Sequence, residues 1–156
     1  MQKTNYKSNS HVKKSAARLY ALQALFQMEV SKLSFDEVTR EFVSYRIGVQ
    51  IDGIQYGYAD IKMFKDIVRK AVKEQSKIDQ LTNKSLKDSW HLGRIDPTLR
   101  ALFRAATAEF LLYKTPPKAT INEFINLAKA FFPEGKEPKL VNGVLNKILT
   151  IINGSE

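Results

Sequence analysis

Apolar side chains recur every three to four residues along almost the whole chain. No segment of strand length alternates apolar and polar residues between hairpin signals. A spacing of three to four residues places side chains on one face of an α-helix, where they can be buried together. The sequence therefore predicts an all-α fold of about seven helices, and 156 residues are enough for one domain with its own core.

Capping signals place several helix boundaries. Ser34 is followed three residues later by Glu37, which is the capping-box pattern, and the pair Asp96-Pro97 combines an Asp N-cap with proline at the first helical position. The glycine-rich segment 47–58 is predicted as the longest connection, in which a short strand remains an alternative. The predicted helices start at or just after His11, Ser34, Asp60, Ile78, Pro97, Thr120 and Pro138.

The same patterns predict which side chains the helices bury. Thr120 and Glu123 form a second capping box, which would open the sixth helix. Glu109 lies on an otherwise apolar helix, so we expect it to meet a basic side chain or a backbone amide. The predicted stripe of the first helix is Leu19, Leu22, Phe26 and Val30, and that of the third is Ile61, Phe64, Val68, Ala71 and Val72.

Positive charge is concentrated in two parts of the chain. The formal net charge is +9, with five basic residues against one acidic over 1–29 and eleven against five over 62–104. Such concentration is typical of proteins that bind an anionic partner such as nucleic acid. A solvated lysine-rich surface explains the charge equally well.

Patterns that would indicate catalysis are missing from the sequence. With no cysteine and two histidines, no thiol nucleophile, metal site or catalytic triad is predicted, and no phosphate-binding glycine motif occurs. We therefore expect no enzyme activity, no cofactor and no small-molecule substrate. No apolar run reaches the roughly 18 residues of a membrane span, and no signal peptide is evident, so we expect a cytoplasmic protein that does not bind membranes.

Three ordered runs resemble one known family. They are RLYALQALFQMEV from Arg18, ATINEFINLAKAFF from Ala119 and KLVNGVLNKI from Lys139. These runs are similar to the NusB family of bacterial transcription antitermination factors. The resemblance implies one all-helical domain of two helical subdomains, at about 11–92 and 96–154, preceded by a flexible basic tail over 1–10.

The resemblance also implies a function that involves no catalysis. Members bind the boxA element of nascent ribosomal RNA together with NusE, a small-subunit ribosomal protein, and act on RNA polymerase. The positions that match the family's RNA surface are Lys13, Lys14, Arg18, Gln23, Lys139, Leu140 and Asn142. The positions near its NusE surface are Arg100, Arg104 and Glu109.

This chain departs from the family pattern at two places. Many relatives carry a continuous arginine run where this chain has lysines at 13 and 14, so fewer bidentate phosphate contacts are available. Leu140 stands where relatives often have an aromatic residue, and leucine cannot stack on a base. We therefore expect the RNA affinity or the base preference to differ.

Two other functions are compatible with parts of the sequence. A NusB-like domain forms the N-terminal part of some ribosomal RNA 5-methylcytosine methyltransferases, but those continue into a cofactor-binding domain and use cysteine. This chain has no cysteine and ends at Glu156, which argues against that class. The second alternative is a helical interaction protein with no nucleic-acid role.

Overall fold

The structure is a computed structural model that describes residues 2–48, 50–51, 54–55, 57–87, 90–113 and 116–154. Within these residues it has seven helices and one small hairpin, which confirms the predicted all-α fold. In chain order the elements are α1 (Gln2–Ser31), α2 (Phe35–Tyr45), β1 (Gln50–Ile51), β2 (Ile54–Gln55), α3 (Ile61–Lys73), α4 (Gln75–Ser85), α5 (Pro97–Leu112), α6 (Pro117–Phe131) and α7 (Glu137–Asn153).

Side-chain caps start three of the helices as the sequence predicts. The Ser34 hydroxyl accepts a hydrogen bond from the Glu37 amide at 3.2 Å, which opens α2. The Asp60 carboxylate accepts one from the Met63 amide at 2.9 Å at the start of α3. At the start of α5, the Asp96 carboxylate accepts one from the Thr98 amide at 2.7 Å. Each cap satisfies a backbone amide that has no partner within its helix.

The predicted capping box of the sixth helix is wrong. Helix α6 begins at Pro117, three residues before Thr120, and Pro116 occupies the N-cap position without a side-chain cap. Thr120 is 1% exposed and donates its hydroxyl hydrogen bond to the Glu109 carboxylate at 3.2 Å. Proline fits the first helical position because its missing amide would be unpaired there, and this signal outweighs the capping-box pattern.

Helix α1 begins at Gln2, whereas the sequence predicted a flexible tail over 1–10 and a helix from about His11. The added segment is polar, so apolar spacing could not reveal it. The predicted stripe is also partly wrong, because Phe26 and Val30 are 37% and 60% exposed. Over 10–31, the part of α1 whose side chains are described, the buried ones are Ala17, Arg18, Tyr20, Ala21, Leu22, Ala24 and Leu25.

Two further differences concern α3 and α4. In α3, Met63 and Ile67 are buried while Ile61 and Val72 are 41% and 38% exposed, so the stripe is rotated by about one residue. Helix α4 spans Gln75–Ser85 rather than about 78–90. The polar sequence of α4 offers few apolar residues from which its ends could be predicted.

The connection 47–58 contains the hairpin that the sequence left open. Strands β1 and β2 pair antiparallel, with Gln50 opposite Gln55. Gly48 has a positive φ of 71°, and a Cβ at this position would lie 2.5 Å from the Tyr58 ring. Both observations favour glycine at this turn, because another residue would be strained at this φ and would displace the Tyr58 ring.

The core is organised around α5, which contacts α1, α3, α4, α6 and α7. The Phe42 and Phe64 rings stack with centroids 5.6 Å apart, and Tyr20 meets Phe42 edge-on at 6.2 Å. The buried side chains form one continuous cluster, which runs through both predicted halves of the chain. In the described part of the chain, no helix has the length and apolar character of a membrane span.

Candidate nucleic-acid interface

Arg18, predicted to contact RNA, lies in the core instead. It is 6% exposed, and its Nε and Nη2 donate to the two oxygens of the Glu109 carboxylate, each at 2.8 Å. Burial alone would lower the pKa of the Arg18 guanidinium, but the hydrogen bonds and charge of Glu109, with the charge of Glu123, raise it above its ordinary value. The expectation of a surface phosphate contact at Arg18 is therefore corrected, and Glu109 has the basic partner that the sequence predicted.

A polar network extends from this ion pair toward the start of α1. The Ser15 hydroxyl donates to Glu123 at 2.9 Å, and Arg18 Nη1 lies 3.7 Å from the same carboxylate. His11 Nε2 lies 3.4 Å from the other Glu123 oxygen. The network joins α1 to α5 and α6, so it fixes where the basic start of α1 lies against the rest of the fold.

Lys13 and Lys14 lie on this anchored segment with exposed side chains. Neither is in an ion pair with a described carboxylate. The Lys13 carbonyl accepts a hydrogen bond from the Asp60 amide at 3.1 Å, which links this turn of α1 to the start of α3. The two ammonium groups are thus available to an anion on a backbone that is held in place.

The second predicted part of the RNA surface lies at the start of α7. Lys139 and Asn142 are exposed and Leu140 is half-buried. The Asn142 side-chain oxygen accepts a hydrogen bond from Asn146 at 2.8 Å. In the described residues α7 makes no contact with α1, but both helices contact α6. The structure therefore places Lys13 and Lys14 on α1 and Lys139 on α7, and α6 packs against both helices.

Lys139 and Leu140 line a groove of about 450 Å³ between the end of α4 and α7. Trp90 and Lys87 also line the groove, and neither was predicted as a site residue because they lie at the end of the fourth helix, where apolar spacing is irregular. A tryptophan among the lysines of the basic segment 62–104 was the available signal. This volume is within the range of small-ligand sites, about 300–1,000 Å³.

Gln23 lies elsewhere, on a depression of about 450 Å³ beside α1 whose lining is mixed, with four apolar and five polar side chains. Phe26, Val30 and Phe131 line the depression with side chains that are 37%, 60% and 39% exposed, and Arg46 lies at its polar side. We call the exposed apolar part of this surface, formed by Phe26, Val30 and Phe131, the apolar depression. Large apolar side chains exposed together are typical of protein interaction sites.

The predicted NusE contacts are engaged within the chain. Arg100 donates to Glu29 at 2.7 Å and to the Leu92 and Ile95 carbonyls at 2.8 and 3.1 Å. Arg104 donates to both Asp79 oxygens at 3.0 and 2.9 Å. Glu109 is 1% exposed and cannot contact a partner. Two of these residues tie α5 to α1 and α4, and the third lies in the core.

No metal site is formed by the described residues, in which no group of three His, Asp or Glu side chains could hold a metal ion. Lys13, Lys14 and Lys139 make no ion pair with a carboxylate of the described residues. An arrangement of exposed lysines on anchored helices can hold phosphates, with an affinity that falls as salt rises.

Comparison with known proteins identifies the family. Residues 15–150 match the model of the NusB family. The chain is 44% identical to the transcription antitermination protein NusB of Sinorhizobium fredii over 97% of each chain. A chain in the crystal structure of a plectonemic RNA supercoil is 26% identical, with a TM-score of 0.74 over 91% of this chain and 97% of that one.

A second solved structure is the crystal structure of antitermination factors NusB and NusE in complex with double-stranded RNA. One of its chains is 26% identical and superposes with a TM-score of 0.71 over 87% of this chain and 95% of that chain. Sequence and structure thus agree over nearly the whole length. The chain belongs to the NusB family.

Proposed function

We propose that this protein is a transcription antitermination factor that binds boxA RNA together with NusE and acts on RNA polymerase. One observation carries the RNA part: Lys13, Lys14 and Lys139 are exposed and make no ion pair with a described carboxylate, whereas Arg18 is paired with Glu109 inside the fold. Membership in the NusB family and a solved relative in complex with NusE and RNA support the rest.

The lysines supply affinity rather than sequence preference. Ammonium groups attract phosphates wherever they occur, so base preference in single-stranded RNA requires hydrogen bonds to base edges and stacking. Asn142 is exposed beside Lys139 and can offer its amide to a base edge. The network below Lys13 and Lys14 positions them without supplying a contact itself.

The apolar depression is the surface we propose for NusE. Phe26, Val30 and Phe131 expose apolar area that the fold leaves uncovered, and a protein partner would remove it from water. Arg100 and Arg104 contribute by holding α5 against α1 close to this surface. Their own charges are already paired.

Fluorescence anisotropy of labelled boxA RNA, with and without NusE, tests the function. Lys13→Glu, Lys14→Glu and Lys139→Glu together should abolish RNA binding. The control triple Lys32→Glu, Lys73→Glu and Lys77→Glu makes the same change of charge elsewhere on the exposed surface and should lose much less affinity. Equal losses of RNA affinity in the two triple variants would mean that RNA is attracted by the overall positive charge. Unchanged RNA binding by the first triple variant would rule out the proposed RNA surface.

A further inference from the structure

We propose that the groove between the end of α4 and α7 is a pocket for an unpaired RNA base, in which Trp90 provides the stacking surface. This inference rests on the proposed RNA-binding function and assigns a residue to base recognition within it. Leu140 borders the same groove but cannot stack on a base. Trp90 supplies an aromatic ring to this groove from another segment of the chain.

The charge around the groove fits a nucleic acid strand. Four lysines line it, namely Lys87, Lys136, Lys139 and Lys147, and all four are exposed. None of them is in an ion pair with a carboxylate in the part of the chain that the structure describes. Phosphates on either side of a bound base would therefore meet ammonium groups that no carboxylate of the described residues pairs with.

Trp90 is held in a position to stack. Its backbone amide donates to the carbonyl of Lys87, a residue just after α4, at 2.8 Å. The side chain is half-buried and packs against the core, while part of it lines the groove. A ring that is already packed loses little conformational freedom when a base stacks on it, and base–aromatic stacking is a general mode of single-strand binding.

Gly143 gives independent support. It lies within α7, where glycine weakens a helix relative to alanine, and a Cβ built on it would meet no atom within 4 Å. Close packing therefore does not require glycine at this position. Gly143 lines the groove, so the missing side chain leaves the space open to a ligand.

The intrinsic fluorescence of the full-length protein tests the pocket, because Trp90 is the single tryptophan of the chain. Single-stranded boxA RNA is titrated while anisotropy of a label on the RNA reports total binding. We expect tryptophan quenching to follow the anisotropy curve. Trp90→Leu should weaken binding about 5- to 150-fold, which is the range for one base–aromatic contact, and Trp90→Phe should retain most of it.

Gly143→Leu fills the groove without changing Trp90, and Thr150→Leu, at an exposed position of α7 outside the groove, is its matched control. We expect Gly143→Leu to lose the quenching and weaken binding at least about 5-fold, with circular dichroism unchanged, while Thr150→Leu binds as wild type does. Binding that leaves Trp90 fluorescence unquenched and is insensitive to Gly143→Leu would overturn the pocket and leave the proposed function standing. Absence of any anisotropy change would instead overturn the proposed function.

Discussion

Arg18 and Glu109, 91 positions apart in sequence, form two parallel hydrogen bonds of 2.8 Å in the centre of the fold. Thr120 donates a third hydrogen bond to Glu109, and Glu123 lies 3.7 Å from Arg18. Three helices therefore meet at one pair of charges. Its position, about one turn beyond Lys14 on α1, makes it the anchor of the basic surface above it.

Glu109→Gln should lower the free energy of unfolding by about 3 kcal/mol, because the buried Arg18 guanidinium loses the carboxylate that it hydrogen-bonds and keeps only the more distant Glu123. Urea denaturation monitored by circular dichroism measures the free energy of unfolding of each variant. Arg18→Met with Glu109→Leu should cost less than the sum of the single changes, since no unpaired charge remains. Lys62→Met, which breaks an exposed ion pair with Asp66, is the control and should have little effect. Additive losses would contradict the pairing.

Asp96→Ala should lower the free energy of unfolding by about 1 kcal/mol, because the Thr98 amide loses its acceptor at the start of α5. Asp96→Asn keeps an acceptor and should differ from wild type by a few tenths of a kcal/mol. Equilibrium urea unfolding of the two variants measures both values. Equal losses would show that the cap contributes nothing beyond its charge.

The variant Thr120→Asp tests whether Thr120 is a helix cap or a buried core residue. Asp is a favourable N-cap residue, so the variant would be tolerated if Thr120 opened α6. In the structure it places a second carboxylate beside buried Glu109, and we expect a loss of several kcal/mol or failure to fold. A thermal unfolding midpoint at or above that of wild type would mean that Thr120 is a cap after all.

Phe26→Asp should abolish NusE binding, because it places a charge in the apolar depression. The affinity for RNA at low salt should be unchanged, because the depression lies away from the exposed lysines. Val72→Asp is the matched control. Val72 is 38% exposed, as Phe26 is at 37%, and lies outside the depression. Calorimetric titration with NusE distinguishes the two variants. Equal affinity for NusE in both would exclude the depression as the NusE surface.

The ionisation of Tyr113 should lower the free energy of unfolding in alkaline solution. Burial, with the charge and hydrogen bond of Asp66, raises the pKa of the Tyr113 hydroxyl from 10.0 to about 12. Between these values the unfolded chain releases the proton while the folded one retains it, so stability is lost as pH rises through this window. Tyr113→Phe removes this part of the dependence. Absorbance of tyrosinate at alkaline pH should show one tyrosine fewer titrating near 12 in the variant.

Helix type and several boundaries were predictable because they depend on local chemistry. The caps at Ser34, Asp60 and Asp96 involve residues two or three positions apart, and sequence shows these directly. The start of α6 was misplaced because a threonine and a glutamate with capping-box spacing have tertiary roles instead. Their partners, Glu109 and Ser15, lie on other helices and are invisible to local patterns.

The candidate site was less predictable for a related reason. Arg18 and Lys14 are both basic residues of the first helix, so local sequence does not distinguish their roles. Packing of α1 against α5 buries Arg18 and leaves Lys14 exposed. Phe26 and Val30 satisfy helical spacing but lie on a face that no helix of the described chain covers. Trp90 belongs to a segment without periodicity, so only the fold could bring it to Leu140.

The most direct measurement is the salt dependence of boxA RNA affinity for wild type and for the variant Lys13→Gln, Lys14→Gln, Lys139→Gln. If each lysine contacts one phosphate, the slope of log affinity against log salt should become shallower by about 2, at roughly 0.7 per contact for a single strand. The exposed control triple Lys32→Gln, Lys73→Gln, Lys77→Gln should keep the wild-type slope. An unchanged slope in the first variant would contradict the proposed RNA interface.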